Sequence, residues 1–225
     1  HARLSVLSRE VRGRYRLERL AGESPPMRRV RDQVRLAIAG QSRVLVVGPA
    51  GSGREHVART IHGGDNPEAA GPLLPLSCAL LDAELLETTL SAFLRRCAGS
   101  LPTQPAALLL LEVDQLGSDA QALLLGFLRD PAFTLRTLVT ARRALTPLAE
   151  TEQFSRELAF LLSTLVIEMP PLAERRADIG LLAQQLVEEH NARGGIQLSG
   201  FAPDAMDQLG AMPWPGNIAE LAEVV

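Results

Sequence analysis

The chain has 225 residues, 46% of them hydrophobic and 22% charged, with a formal net charge of -3. That length supports one α/β domain with its own core, or a larger subdomain carrying a small one. The charge balance makes no demand for nucleic acid, no apolar run reaches membrane-spanning length, and no cleavable leader opens the chain.

The cysteines, Cys78 and Cys97, lie outside any CxxC or Cys/His pattern and read as buried thiols of a cytoplasmic protein. Lysine is absent, so all 23 Lys/Arg positions are arginine. Such a bias suits a GC-rich coding source, and any single arginine in a lysine's place has to be weighed against it.

Residues 1–20 are polar and Arg-rich, with Leu4, Leu7, Val11 and Tyr15 at helical spacing. They read as a linker helix from an upstream domain or as a solvated terminus. Ser24 is placed to cap a helix that starts at Pro25 and runs to Gly40. The run 43–47 (RVLVV) is β-branched and apolar, as a strand buried on both faces should be. It enters a glycine-rich turn and then a helix, HVARTIH. Further strands are expected at 73–78, 107–113, 135–141 and 165–169, separated by helical stretches that include 82–97 and 151–163. Beyond Pro170 the pattern is helical throughout. Alternating β and α followed by all-α predicts a parallel five-stranded sheet between helices, with a small helical lid. The expected division is a linker at 1–20, an α/β nucleotide-binding unit at 21–170 and a lid at 171–225.

Strand, glycine loop, helix is the setting a P-loop requires. Glycines let successive backbone N–H groups turn around phosphate oxygens, and the helix N-terminus adds partial positive charge. Gly48, Pro49, Ala50, Gly51, Ser52 and Gly53 keep that backbone, whereas Arg54 stands at the lysine position and Glu55 at the Ser/Thr position. Arginine keeps the charge but replaces a compact ammonium with a wide planar fork.

Taken with GESPPMRRV (22–30), LSCALLDAELLE (76–87), MPPLAERRADI (169–179) and WPGN (214–217), this loop makes residues 20–225 resemble a known family. It is the AAA+ central domain of bacterial enhancer-binding proteins, the sigma-54 activators related to the nitrogen regulator NtrC. The resemblance implies a hexameric ring that hydrolyses ATP between subunits and remodels RNA polymerase bound to sigma-54. It also implies nucleotide contacts from residues 48–55, with Leu20 and Gly22 near the base.

The family's working parts are mostly changed here. Counting back from DQL and AQ puts Leu111 at the Walker B aspartate and Glu112 at the glutamate; a register one residue later puts Glu112 and Val113 there. One acidic group survives in either case, so Mg²⁺ would be held weakly or not at all. Ser155 and Leu161 occupy the arginine-finger positions, with Arg156 one place off. Ala219 stands at the sensor arginine, and Ala141 and Arg142 at the sensor Thr-Asn. No GAFTGA-like string, the segment that engages sigma-54, occurs; only LRRCAGSLPTQPA separates Phe93 from the third strand.

The expectation is therefore a degenerate sigma-54-activator-type AAA+ domain of a bacterial regulator. It is hydrolysis-deficient, binds ATP or ADP, and serves as a nucleotide-sensing or oligomerisation module. Its partners would be further copies or attached regulatory domains, with no DNA contact of its own, no membrane, and a link to sigma-54 polymerase weakened by the missing loop. Two other readings stay open: a slow ATPase driving sigma-54-dependent transcription activation, with Arg54 as the surrogate cation and a partner subunit's fingers in a mixed ring, and a protein-interaction scaffold without nucleotide.

Overall fold

A computed structural model describes residues 15–66, 70–98, 105–192, 194 and 197–225. Helix α1 (Pro25–Ala39) leads into β1 (Val44–Val47), followed by α2 (Arg54–Gly63), β2 (Leu73–Ser77) and α3 (Ala83–Ala98). Then come β3 (Ala107–Leu111), α4 (Ser118–Arg129), β4 (Arg136–Ala141), α5 (Leu145–Glu150), α6 (Arg156–Leu162) and β5 (Leu165–Glu168). A kinked 3-10 segment, Leu172–Asp178, opens the lid of α7 (Ile179–Ala192), α8 (Pro203–Ala211) and α9 (Asn217–Val224).

All five strands are parallel, in the order β2-β3-β4-β1-β5. The predicted α/β architecture with a helical lid is thus what forms. Period-two alternation sends β1 side chains to opposite faces. Leu45 and Val47 join Leu108, Leu110 and Val139 in a core closed by α3 to α6, while Val44 and Val46 join Leu109 and Leu138 under α1 and α2. Pro75 sits within β2, an edge strand, where a missing N–H costs no ladder bond on the open side. A third core, around the fully buried Trp214, holds the lid together with Leu172, Ile179, Ala183 and Leu221.

Three local expectations are corrected. Ser24 precedes α1, but its hydroxyl does not cap it; Oγ donates to Asp178 Oδ2 at 2.6 Å. Asp178 is buried and also accepts from the N–H groups of Glu23 and Ser24, so it captures the entry to α1 from the lid. Instead of one helical stretch over 151–163, α5 ends at Glu150, Glu152 turns left-handed at φ 58°, and α6 restarts at Arg156. Ser155 caps that restart, accepting from Leu158 N–H. The lid does not begin as a regular helix either: Arg175 breaks it at φ −131°, ψ 42°.

Residues 1–14 of the expected linker helix, and 99–104 of the shortened segment before β3, lie outside the described residues. Leu17–Arg19 form a single 3-10 turn, and Tyr15 tilts against His56 with ring centroids 5.3 Å apart. Among the described residues no helix is long and apolar enough to cross a membrane.

Candidate functional site

The P-loop leaves the carboxyl end of β1, where ligands bind in open parallel sheets. Gly51 and Gly53 adopt left-handed φ values of 71° and 98°, a region L side chains rarely occupy. At Gly51 space matters as much: a Cβ there would lie 2.1 Å from the carbonyl oxygen of Gly216. Helix α2 makes its first intrahelical bond from Val57 N–H to Gly53 O, so the donors before it are left for a ligand. Within the turn, Ser52 N–H donates to Pro49 O at 3.3 Å, and Gly48 N–H to Ala141 O at 3.2 Å.

Three successive carbonyls of this loop are held by the lid. Asn217 Nδ2 donates to Ala50 O at 2.8 Å, Ile218 N–H to Gly51 O at 3.0 Å, and Arg175 Nη2 to Ser52 O at 2.8 Å. Fixing these carbonyls on the lid side fixes the orientation of the peptide planes that form the cradle. Asn217 also accepts from Leu172 N–H, and Arg175 Nη1 reaches Met27 Sδ at 3.0 Å. Asn217, Ile218 and Arg175 were not singled out as site residues by sequence reasoning, although WPGN and AERRADI are conspicuous strings.

Arg54 is 8% exposed and its Nη2 lies 3.0 Å from Glu112 Oε1. Glu112, just past β3, has a left-handed φ of 56° and donates its N–H to Thr140 Oγ1 at 3.0 Å. Two buried polar atoms here find no partner, Arg54 Nη1 and Ser52 Oγ. Glu55 turns along its helix to Arg59, 2.7 Å away. A cleft of about 470 Å³ opens between these groups, floored by Gly51, Gly53, Leu111 and Thr140 and walled by Ile218, Ala219 and Ala222 of α9.

Arg142 donates through its backbone N–H and Nε to the carboxylate of Asp114, whose side chain is 1% exposed. Burial, reinforced by the negative charges of Asp114 and Glu112, pushes the nearby Cys78 thiol up to about 12. His56, at the cleft edge, is pulled below its usual value by burial.

Other predicted residues fall elsewhere. The carbonyls of Leu20 and Gly22 both accept from Arg31 Nη2, and Leu20 lines a separate cleft of about 800 Å³ beside α7. Gly22 packs over Met27 and Asp178, and Met27 in turn meets Arg175, which donates to Ser52 O in the P-loop. Ser155 is consumed as a cap, and Arg156 Nε reaches back to Ala149 O at 3.4 Å. Arg156 and Leu161 line a groove along α5 and α6, and neither they nor Ser155 line the P-loop cleft.

Free helix N–H groups and the unpartnered Arg54 Nη1 fit phosphate oxygens. They do not fit a magnesium ion as well. Leu111 offers no carboxylate, Glu55 is engaged by Arg59, and Glu112 is engaged by Arg54.

Residues 21–172 match the model of the sigma-54 interaction domain, and 173–225 that of the AAA+ ATPase lid domain. Over 236 aligned residues, the chain is 34% identical to the Nif-specific regulatory protein of Azotobacter vinelandii, covering 96% of this chain and 45% of that one. It is 30% identical to the transcriptional regulatory protein ZraR of Escherichia coli K12, covering 92% and 51%. NtrX from Brucella abortus, crystallised in complex with ATP, superposes with a TM-score of 0.77 at 28% identity, over 96% of this chain and 54% of that one. The chain spans about half the length of the relatives it matches.

Proposed function

Because the chain belongs to the sigma-54 interaction domain family of AAA+ proteins, we propose that it is a hydrolysis-deficient module of a bacterial transcriptional regulator. It binds nucleotide without turning it over, and it acts through self-association or attached regulatory domains in the cytoplasm. In this reading residues 21–170 form the nucleotide-binding unit and 171–225 the lid that clamps it.

The observation that carries this reading is the Arg54–Glu112 ion pair. In a working P-loop the Walker A cation serves the β/γ-phosphates, and carboxylates serve the metal and the attacking water. Here the cation and the surviving carboxylate neutralise each other, and Leu111 supplies nothing in the aspartate's place. Ser155, Leu161 and Ala219 remove the remaining arginines, and loss of one finger alone is worth about 10³–10⁵ in rate. Nucleotide binding itself is supported by the retained cradle and by the NtrX structures in complex with ATP and with ADP. Remodelling of sigma-54 polymerase is not assigned to this chain, since no GAFTGA-like string occurs in it.

Calorimetric titration with ATP and ADP, alongside phosphate release at high protein concentration, tests the proposal. Heat with both nucleotides and no release is the expected outcome. Turnover that disappears in Glu112→Ala would show instead an active enzyme, and no heat with either nucleotide would leave only a scaffold.

A further inference from the structure

The same ion pair bears on which nucleotide the cleft takes. In a P-loop the backbone N–H groups hold the α- and β-phosphates, while the Walker A side chain reaches the β- and γ-phosphates. The first set of donors is intact here. Gly51 and Gly53 hold the turn open, and the N-terminus of the ten-residue α2 faces the cleft. The second is not. Arg54 has its Nη2 on Glu112, with the buried Nη1 left unpartnered.

A triphosphate brings one more anionic group than a diphosphate, and places it at the guanidinium end of the cradle. There it meets Glu112, a carboxylate 38% exposed on the cleft wall. Like charges at this range repel appreciably even near a protein surface. Metal-dependent sites offset the added charge with Mg²⁺. This cleft has Leu111 where the metal-holding carboxylate would be, and Glu55 is turned away onto Arg59.

We propose that the cleft selects the diphosphate end of a nucleotide, that it does so without a divalent metal, and that Glu112 is the residue that rejects the triphosphate. Glu112 acts as a built-in occupant of the γ-phosphate end of the site, held there by Arg54. Its left-handed backbone and its N–H bond to Thr140 Oγ1 fix the direction in which it leaves β3. This inference rests on the nucleotide-binding reading above.

The test is isothermal titration of the whole chain with ADP and with ATP, each with Mg²⁺ and with chelator. ADP should bind at least about tenfold more tightly than ATP, a ratio equivalent to about 1.4 kcal/mol. Neither affinity should change by more than about twofold with Mg²⁺. In Glu112→Gln, which keeps size and hydrogen bonding, the ADP/ATP ratio should collapse to within about threefold. A second variant, Leu111→Asp, should make ATP binding respond to Mg²⁺. Equal or tighter binding of ATP by the wild-type chain would overturn the inference while leaving the nucleotide reading intact, as would a ratio unchanged in Glu112→Gln. Silence with both nucleotides would overturn both together.

Discussion

Asn217 Nδ2 donates to the carbonyl of Ala50 across 167 residues of chain, at 2.8 Å. Its other amide atom, Oδ1, accepts from Leu172 N–H at the root of the lid. One side chain therefore joins the P-loop to the lid, and its left-handed φ of 57° is what aims it. The WPGN string therefore has a structural use: Trp214 builds the lid core and Asn217 sets the loop.

Replacing Asn217 by Ala should leave the buried Leu172 N–H without a partner and release the carbonyl of Ala50, an exposed residue, to solvent. An orphaned buried donor costs about 1–3 kcal/mol, so the variant should be destabilised by about that amount. Urea unfolding measures the total, and hydrogen exchange should show faster opening at 49–53 than in the sheet.

Gly51→Ala tests the contact between loop and lid. The added Cβ would meet Gly216 O at 2.1 Å, with backbone and not a flexible side chain as the obstacle. The backbone φ of 71° adds strain of about 1–3 kcal/mol for a residue other than glycine. A lower Tm together with weakened ADP binding is expected; an unchanged Tm would mean that the lid is not seated on the loop.

Arg54→Ala and Glu112→Ala should move nucleotide affinity in opposite directions. Removing Arg54 takes away the cation and leaves Glu112 facing the phosphates, so binding should weaken by about tenfold or more. Removing Glu112 frees the guanidinium, so ATP binding should strengthen. Matched titrations decide this, and equal losses in the two variants would mean that Arg54 does not serve the ligand.

The thiols should differ in reactivity. Cys78 is buried and its thiol is pushed up to about 12, while Cys97 is half-buried. A thiol reagent at pH 8 should modify Cys97 and reach Cys78 only on unfolding. Because the folded state holds the Cys78 proton more tightly than the unfolded chain, that thiol's contribution to stability falls as pH rises from about 9 towards about 12. Comparing alkaline unfolding with that of Cys78→Ala isolates the contribution.

Much of this was legible along the chain. Strands at 43–47, 107–113 and 135–141 announce themselves because apolar runs bounded by Gly, Pro or charge have few other places to go. The misplaced cap at Ser24 has a physical cause, competition between a local rule and a distant partner. Ser24 has the chemistry of a cap, but the buried carboxylate of Asp178, 154 residues away, offers its hydroxyl a charged acceptor. Ser155 caps α6, a role visible only once the break after Glu150 is known. Arg142, read as a lost sensor, is taken up by Asp114, which sequence reasoning passed over.

The parallel α/β fold, the glycine turn after β1 and the absence of an aspartate at Leu111 were determined by the sequence alone, because periodicity, turn chemistry and residue identity are local. What the surviving charges do was decided by tertiary structure. Strand order brings Glu112 of the β3 end within 3.0 Å of Arg54, 58 residues earlier, and the lid brings Asn217, Ile218 and Arg175 onto three consecutive loop carbonyls. An ion pair or a hydrogen bond acts over a few ångströms, and only the folded chain sets which distant groups come that close.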